Sequence, residues 1–513
     1  MNKFYLTTAI PYVNARPHVG HALEFVQADV IKRFRKISGD ETLLLSGADE
    51  NAIKNVQAAE AAGVEVEKFI DENSKAFQKM AEKLNVNFDV FQRGSSTAHH
   101  LASKKLWELC EHDIYKKEYK GLYCTGCELF YEKKELNENG ECFEHPGKPL
   151  EEVAEENYFF KLSKYESQII KLIESDKLKI YPKLRKNEVL SFLKDGLKDI
   201  SISRSNERAK NWGVPVPGDQ TQRMYVWFDA LNIYQSGVGF GADERSDGAR
   251  LQGEAEDKRG EEDLSKHKFT AKDYSYWWPA DLHVIGKGII RFHAVYWPAF
   301  LLSAGLALPK ALFVHGYFTV DGEKMSKSLG NVYDPIELME KYGTDALRYY
   351  FLREISPFAD GDFSKKRLEE VYNADLANGL GNLVARVSKL CENARFKQPK
   401  AGEIGHVMTV SDGYMEALNE YRFNDALSLV WDKISKLDKY INEEKPWELL
   451  KGSFGNRKSQ NIEHVLAHSV DQIQEIAILL EPFMPQTSDK IKKKFSESEI
   501  KSSAPLFPRI ETK

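Results

Sequence analysis

Phe4-Tyr-Leu-Thr-Thr-Ala9, Pro11-Tyr-Val-Asn-Ala-Arg-Pro17 and His18-Val-Gly-His21 are the consecutive stretches that decide the fold of this 513-residue chain. The first, an apolar run, predicts a buried strand, and the second predicts a turn. The third opens a long amphipathic helix, whose apolar side carries Leu23, Val26, Val30, Ile31 and Phe34. A strand that leads into a helix N-terminus is typical of an α/β domain and offers backbone N–H groups to an anion.

A second strand is predicted at Glu41-Thr-Leu-Leu-Leu-Ser46, an apolar run that ends at Gly47-Ala-Asp49. Amphipathic helices follow at residues 58–62 and 66–84. Alternating strands and helices predict a parallel sheet, and ligands bind at the carboxyl ends of such strands. Asp49 is therefore predicted to lie at a ligand-binding edge.

Far downstream, Asp321-Gly-Glu-Lys-Met-Ser-Lys-Ser-Leu-Gly-Asn331 predicts a lysine-rich loop with a glycine near each end. Glycines allow the backbone to approach a ligand closely, and lysine ammonium groups bind phosphate. Such a loop can stabilise the charge that develops when a phosphoryl bond breaks.

Together, His18, Gly20 and His21 at the helix start and residues 324–328 in the loop resemble the HIGH and KMSKS signatures of class I aminoacyl-tRNA synthetases. Three further local sequences make the resemblance specific to the methionyl-tRNA synthetase family; they are Ala9-Ile-Pro-Tyr12, Tyr225-Val-Trp-Phe-Asp-Ala230 and Phe313-Val-His-Gly-Tyr317. The resemblance extends from Tyr5 to Pro508. It implies an ATP-dependent methionine–tRNA ligase that adenylates L-methionine and transfers it to the 3′-terminal adenosine of tRNA(Met).

The resemblance also assigns the residues of the chemistry. His18, His21, Lys324 and Lys327 are expected to be catalytic through contacts to the phosphates and pyrophosphate. The expected ATP-binding set is His18, Gly20, His21, Lys324, Ser326, Lys327 and Ser328. Mg²⁺ is expected with ATP, although the sequence shows no dedicated protein cage for it.

A methionine pocket is expected where aromatic side chains can contact the polarisable thioether. The matching positions are Ala9, Ile10, Tyr12, Asp49, Arg204, Trp227, Ala230, Tyr234, Ile289 and His293. Asp49 is expected to bind the substrate ammonium and Arg204 to lie near the adenylate. The chain departs from the family pattern at Asn51-Ala52, where His-Gly is usual, and in the longer segment after Arg204.

Cysteine spacing predicts one zinc ion. Cys124-Thr-Gly-Cys127 and, after 14 intervening residues, Cys142-Phe-Glu-His145 suit a tetrahedral Cys3His site. Because all four positions are protein ligands, the metal is predicted to be structural. It would hold a zinc knuckle near the acceptor end of the tRNA.

A helical domain is predicted from residue 365 onward, because the pattern lacks strands and long Gly/Pro runs. Asn382 and Arg386 lie four positions apart on one helix face, and Trp447 follows a proline. These three match residues with which the family recognises the CAU anticodon, a loop whose bases can be stacked and paired.

The expected fold is thus an α/β Rossmann-type catalytic domain with an inserted zinc-knuckle connective domain, followed by an all-α helical-bundle anticodon-binding domain. The predicted boundaries are 1–115 and 222–308 for the two catalytic halves, 116–221 for the insertion, 309–364 for the KMSKS-loop and stem-contact region, and 365–513 for the bundle. The catalytic sheet is expected to resume around residues 222–229. Between 243 and 268, 15 of 26 residues are charged, which predicts a surface insertion.

Composition sets further expectations. A net charge of −6 means that RNA binding must rely on local basic patches, and no run approaches the roughly 18 apolar residues of a membrane span. We expect a cytoplasmic protein, because no targeting segment precedes the first strand. We expect a monomer, because no appended dimerisation barrel follows the bundle.

Two alternatives stay open on the residues alone. One is a class I synthetase for Ile, Val, Leu or Cys; the first three usually carry a large editing domain, for which residues 116–221 leave no room. The cysteine enzyme binds its substrate thiol with zinc, whereas all four zinc positions here are protein ligands. The other alternative is a non-catalytic tRNA-binding paralogue, against which the intact histidine and lysine signatures argue.

Overall fold

The computed structural model describes residues 2–124, 129–131, 136–142, 147, 149–242, 269–324, 333–397, 411–451 and 456–511. The predicted surface insertion at 243–268 lies outside these ranges. So do residues 325–332 of the lysine loop and two of the four predicted zinc ligands, Cys127 and His145.

The strands are β1 (Lys3–Thr7), β2 (Glu41–Ala48), β3 (Val90–Arg93), β4 (Ile114–Cys124), β5 (Leu129–Tyr131), β6 (Glu151–Phe160), β7 (Lys179–Tyr181), β8 (Ile200–Ser201), β9 (Ser203–Ser205), β10 (Pro215–Val216), β11 (Asp219–Met224), β12 (Leu282–Gly286), β13 (Ala311–His315), β14 (Phe318–Val320), β15 (Glu323–Lys324) and β16 (Gly361–Phe363). The α-helices are α1 (Val19–Ile37), α2 (Ile53–Ala62), α3 (Val66–Lys83), α4 (Thr97–Cys110), α5 (Glu166–Glu174), α6 (Lys183–Lys194), α7 (Val226–Ala230), α8 (Ile233–Ser236), α9 (Ala271–Trp277), α10 (Trp297–Ser303), α11 (Pro335–Tyr342), α12 (Thr344–Glu354), α13 (Lys365–Val371), α14 (Asn382–Ala394), α15 (Asp412–Asn419), α16 (Phe423–Glu444), α17 (Pro446–Lys451), α18 (Asn456–Leu480) and α19 (Pro485–Phe495).

The first of two compact units comprises Met1–Pro17, Gly39–Ala81 and Asn87–His315. Its centre is a six-stranded sheet in the order β3-β2-β1-β12-β13-β7, and every pairing in it is parallel. The predicted strands at the start of the chain are both present, and the second extends to Ala48. Apolar residues on consecutive positions of β2 are buried, as in a strand covered on both faces.

The carboxyl edge of this sheet is where the first unit carries its candidate site. The neighbours of β1 are β2, which precedes it in the order, and β12, which comes from far along the chain. This change of direction in the strand order opens a crevice beyond the carboxyl ends. Asp49 directly follows β2, and Tyr12 lies beside it through an isolated bridge.

The segment 219–230 differs from its prediction. Asp219–Met224 does not resume the parallel sheet but pairs antiparallel with β10 and β9, and Val226–Ala230 is a short helix. The reason is composition: Asp-Gln-Thr-Gln-Arg-Met is polar and partly exposed, which suits an antiparallel sheet with one face in water.

Residues 116–221 also contain a four-stranded antiparallel sheet in the order β5-β4-β6-β8. Lys179–Tyr181, in the same range, forms the edge strand of the parallel sheet by pairing with β13. The predicted insertion therefore contributes one strand to the catalytic sheet.

The second unit comprises His18–Ser38, Glu82–Val86 and Gly316–Lys513. It contains helix α1, a small sheet in the order β15-β14-β16 and, from Lys365 to the end of the described residues, helices α13–α19 with a π-helix at Tyr372–Gly381. A helical C-terminal region is thus present as predicted. Among the described residues, no helix is both long and apolar enough to span a bilayer.

Candidate active site

A group of packed aromatic side chains in the first unit, at the predicted methionine pocket, includes most of the residues predicted to enclose methionine. Trp227 and Tyr234 belong to the buried core, and Ala9, Ile10, Tyr12 and Ile289 pack against that core. The edge of the Tyr12 ring meets Trp227 at a centroid distance of 6.3 Å, and Trp227 meets His293 at the same distance. Ala230 lies one helical turn after Trp227 in α7.

The protonation of His293 follows from its two partners. Its Nδ1 lies 3.0 Å from the carbonyl oxygen of Ile289, and its Nε2 lies 2.8 Å from the hydroxyl of Tyr234. A carbonyl can only accept, so Nδ1 carries the proton and Nε2 accepts from Tyr234. Burial lowers the pKa of His293 to about 4. The pocket therefore presents a neutral imidazole to its ligand.

A second buried histidine beneath the pocket was not predicted. His283 lies in β12 opposite Thr7, and its Nδ1 is 2.7 Å from the threonine hydroxyl. Its ring lies 4.4 Å from that of Tyr234. Burial, with the nearby His293, lowers its pKa well below the usual value. Its position inside the apolar strand Leu282–Gly286 was the available signal, since a buried polar residue is unusual there.

Phe292 is another residue that sequence reasoning missed. It stacks on Trp227 with a centroid distance of 3.7 Å and an interplanar angle of 3°. A π-helix at Phe292–Tyr296 contains both Phe292 and His293. Such widened turns occur often at functional sites, and this one lets two adjacent residues contact the same indole.

Asp49 is buried, with 3% of its surface exposed. Its backbone N–H bonds to the carbonyl of Pro11, and its own carbonyl accepts from the Asn55 side chain at 2.9 Å. The ammonium of Lys54 lies 3.9 Å from the centre of the Tyr12 ring. The backbone at Asp49, whose carboxylate is predicted to bind an ammonium group, is thus fixed beside Tyr12.

Arg204 lines a cleft of about 80 Å³ together with Asn51 and Val226. Its Nη1 donates to the carbonyl of Ser203 at 2.7 Å, and its guanidinium lies 4.6 Å from the ring centre of Tyr225. The structure places Arg204 within the same unit as the pocket.

In the second unit, His18 is the N-cap of α1, as the sequence predicted for a helix start. Its Nδ1 accepts from the backbone N–H of Gly20 at 3.1 Å, and the Nδ1 of His21 accepts from the backbone N–H of His18 at 3.2 Å. Burial lowers the pKa of His18 to about 4, and burial with the neighbouring His18 lowers that of His21 well below the usual value. Both rings are therefore neutral and carry their proton on Nε2.

The lysine loop is only partly described. Lys324 ends β15, while Ser326, Lys327 and Ser328 lie outside the described residues. Their predicted contacts with ATP stay predictions.

Two of the predicted zinc ligands are described. Cys124 ends β4, and both it and Cys142 are buried. The Sγ of Cys142 lies 3.5 Å from the hydroxyl of Tyr131. Among the described residues no group of three or more ligating side chains is assembled, and Cys127 and His145 are not among them. Two buried thiols suit zinc, which prefers sulfur ligands.

The three predicted anticodon residues lie in the helical part of the second unit. Asn382 is exposed at the start of α14, and Trp447 is partly exposed in α17. Arg386 donates to Asp438 Oδ1 at 2.6 Å and to Asn442 Oδ1 at 3.0 Å, both on α16. These contacts fix the guanidinium, and no local sequence pattern predicts them.

Sequence and structure comparisons agree over the whole chain. A sequence profile described as "tRNA synthetases class I (M)" matches residues 4–388, and one described as "Anticodon-binding domain of tRNA ligase" matches residues 407–513. The chain is 37% identical to the methionine–tRNA ligase of Brucella suis, over 99% of this chain and 98% of that protein. It is 40% identical to that of a Nostoc species, over 95% of this chain and 89% of that protein.

Among solved structures, it resembles Mycobacterium tuberculosis methionyl-tRNA synthetase in complex with methionyl-adenylate. The TM-score is 0.87 at 36% sequence identity, over 99% of this chain and 100% of that one.

Proposed function

This chain belongs to the methionyl-tRNA synthetases of class I, and from that premise we propose how its own residues divide the work. The reaction is ATP-dependent: the carboxylate of methionine attacks the α-phosphate of ATP, pyrophosphate leaves, and the methionyl group passes from the adenylate to the 3′-terminal adenosine of tRNA(Met). The observation that carries this function is similarity over nearly the full length of both chains, to a protein solved with methionyl-adenylate. As in other class I enzymes, the 2′-hydroxyl would be acylated first.

For the first step, the phosphates of ATP would be bound by His18 and His21. Because Nδ1 of each ring accepts from a backbone N–H, each neutral imidazole would donate to a phosphate oxygen through Nε2. Gly20 would let the nucleotide approach the helix start. Lys324, Ser326, Lys327 and Ser328 would stabilise the departing pyrophosphate. Mg²⁺ would accompany ATP and neutralise phosphate charge.

The methionine side chain would lie among Tyr12, Trp227, Ala230, Tyr234 and His293, with the apolar lining completed by Ala9, Ile10 and Ile289. The support is a group of aromatic side chains around a buried, neutral His293. A thioether suits such surroundings and a charged side chain does not. Asp49 would bind the ammonium group and Arg204 the adenylate side of the substrate.

Zinc would be held by Cys124, Cys127, Cys142 and His145, one ion per chain, in a purely structural role. With four protein ligands it would close its own coordination sphere and stabilise the knuckle by linking two turns. The knuckle would contact the acceptor end of the tRNA.

The anticodon would be recognised by Asn382, Arg386 and Trp447 on the helical bundle. The exposed amide of Asn382 can pair with a base edge, and the indole of Trp447 offers a stacking surface.

The proposal also includes the domain boundaries, at 1–115, 116–221, 222–308, 309–364 and 365–513. It includes a monomeric state and a cytoplasmic location as well.

An ATP–pyrophosphate exchange assay with each of the 20 amino acids tests the function. Methionine alone should support exchange. Exchange with isoleucine, valine, leucine or cysteine instead would indicate a different class I synthetase, and the absence of any exchange would indicate a non-catalytic protein.

A further inference from the structure

We propose that Asn51 is a positioning residue for methionine binding, because its side chain joins the loop that carries Asp49 to the helix that carries Trp227. The proposal rests on the function above, in which Asp49 binds the ammonium group and Trp227 contacts the side chain of the same substrate. The family resemblance does not predict this link, because this chain has asparagine at position 51, where the family usually has histidine.

The amide of Asn51 uses both of its N–H groups in buried hydrogen bonds. Nδ2 donates to the carbonyl of Gly94 at 2.8 Å and to Oδ2 of Asp229 at 2.6 Å. Asn51 is 9% exposed and Asp229 is 2% exposed. A bond from an amide to a buried carboxylate is charge-assisted and does not compete with water, so it constrains the distance between the two segments.

Asp229 is itself held from the other side. Its Oδ1 accepts from the hydroxyl of Ser103 at 2.6 Å and lies 3.0 Å from Nε2 of His99, both on α4. Burial alone raises the pKa of the Asp229 carboxyl, but the charge and hydrogen bond of His99, with the hydrogen bond of Ser103, bring it below the ordinary value. The acceptor of the Asn51 bond is therefore an ionised carboxylate in a fixed place.

The hydrogen bond between Asn51 and Asp229 joins two segments that are proposed to bind opposite ends of methionine. Asp229 lies in α7, two residues after Trp227, whereas Asn51 lies two residues after Asp49. A change in the bond between Asn51 and Asp229 would thus move the ammonium-binding carboxylate relative to the indole. Methionine affinity depends on that spacing, while ATP affinity does not.

Asn51→Asp is the sharpest test, because it keeps the shape and replaces the donor with an acceptor. Two carboxylates at hydrogen-bond distance hold together only when they share a proton. In pyrophosphate exchange at pH 8, we expect the KM for methionine of Asn51→Asp to be at least tenfold above that of wild type. At pH 6 the variant should regain most of its methionine affinity, so that its KM returns toward the wild-type value. The KM for ATP should stay within about twofold.

The charged groups facing Asp229 are His99 and His100 of α4. Both are present in wild type and variant, so each variant is compared with wild type at the same pH. Asn51→Leu has no proton to share and should raise the KM for methionine equally at both pH values. Asn51→His restores an N–H donor and should stay within about threefold of wild type.

A matched control is Asn157→Asp in β6. The Asn157 side chain donates to Glu155 Oε1 at 2.9 Å, so the substitution builds the same kind of carboxylate pair elsewhere in the unit. It should leave the KM for methionine unchanged at both pH values.

If Asn51→Asp fails to fold, Asn51→His is the variant that tests the proposal. A large loss of methionine affinity in a folded Asn51→His variant overturns the proposal.

The proposal is also overturned if Asn51→Asp changes the KM for methionine by less than twofold at pH 8, or if its defect is independent of pH. A wild-type protein without methionine-dependent exchange would instead refute the proposed function, which keeps the two failures distinct.

Discussion

Four histidines, His18, His21, His283 and His293, are kept neutral by their surroundings, and this determines what each can do. In all four, burial is the main cause of the lowered pKa. In a neutral imidazole one nitrogen donates a hydrogen bond and the other accepts one. Once the partner of one nitrogen is known, the other nitrogen can therefore act in only one way. For His18 and His21 that role is donation through Nε2, and for His293 it is acceptance from Tyr234.

The Tyr234 hydroxyl gives a first prediction. Tyr234→Phe leaves the buried Nε2 of His293 without its donor, which costs about 1–3 kcal/mol and loosens the ring in the pocket. We expect the KM for methionine in pyrophosphate exchange to rise roughly tenfold, with a smaller effect on the KM for ATP.

Tyr274→Phe is the control for that experiment. It removes a comparably placed hydroxyl, which donates to Gln235 at 2.6 Å rather than to the pocket histidine. An equal change in the KM for methionine in both variants would mean that Tyr234 acts only through general packing.

The lysine loop gives a second prediction at the residue scale. Lys327→Ala should slow methionine-dependent pyrophosphate exchange by roughly 100- to 1,000-fold, because one charge that stabilises the departing pyrophosphate is lost. The KM for methionine should change little. Lys79→Ala, at an exposed position of α3, is the control and should exchange normally; near-normal exchange by Lys327→Ala would remove the loop from the mechanism.

At the scale of elements, helix α1 is fixed to α12 by a buried ion pair. Arg348 Nη2 lies 2.7 Å from Asp29 Oδ2, and both side chains are almost completely buried. Arg348 also donates to the carbonyls of Leu84, Pro482 and Phe483. The helix capped by His18 is therefore tied to α12, the second helix after the lysine loop.

Arg348→Met should destabilise the protein by about 3–5 kcal/mol, because it removes one of the two cationic partners of the buried Asp29 carboxylate, the other being Arg33, and the donor to three carbonyls. The shift of the urea unfolding midpoint measures this. Arg367→Met breaks the half-exposed pair with Glu354 and should cost less than about 1 kcal/mol. Similar shifts in the two variants would show that the buried pair does not anchor α1.

Helices α14, α16 and α17 give the prediction for the tRNA. Trp447→Ala should reduce kcat/KM for aminoacylation of tRNA(Met) by roughly 5- to 150-fold, since stacking of a base on an aromatic ring is worth about 1–3 kcal/mol. Methionine adenylation without tRNA should be nearly unchanged. Trp447→Phe keeps a stacking surface and should restore most of the activity. Equal loss in both assays would identify Trp447 as a fold residue.

At the scale of the whole molecule, the buried neutral histidines predict loss of stability in acid. A folded-state pKa below the unfolded value of about 6.5 means that the unfolded chain binds more protons between those two values. For His293 the stabilisation is therefore complete above pH 6.5 and is lost as the pH falls toward 4, by about 3 kcal/mol.

Thermal unfolding at pH 7.5, 6 and 5 measures this trend. His293→Gln removes one titrating group and should flatten the dependence between pH 6.5 and 5. An unfolding temperature that is constant over this range, in wild type and variant alike, would contradict the neutral assignment.

Local patterns were sufficient for much of the fold. The strands around Phe4 and Leu43, the helix from His18 and the helical C-terminal region all follow from hydrophobic periodicity within one element. The prediction that the parallel sheet resumes around residues 222–229 was wrong, because a short run does not specify which strand it pairs with. The short run Lys179–Tyr181 did not predict that it forms the edge strand of the parallel sheet, because its partner β13 lies far along the chain.

The sequence by itself determined the family and the reaction, because the two signatures and the pocket motifs are contiguous stretches that can be matched without a structure. Only the tertiary structure decided which side chains work together and in which protonation state. Asn51 and Asp229 are 178 positions apart, and Tyr234 and His293 are 59 apart. Contacts of that separation, and the removal of water that sets the pKa of a buried imidazole, arise only when the chain is packed.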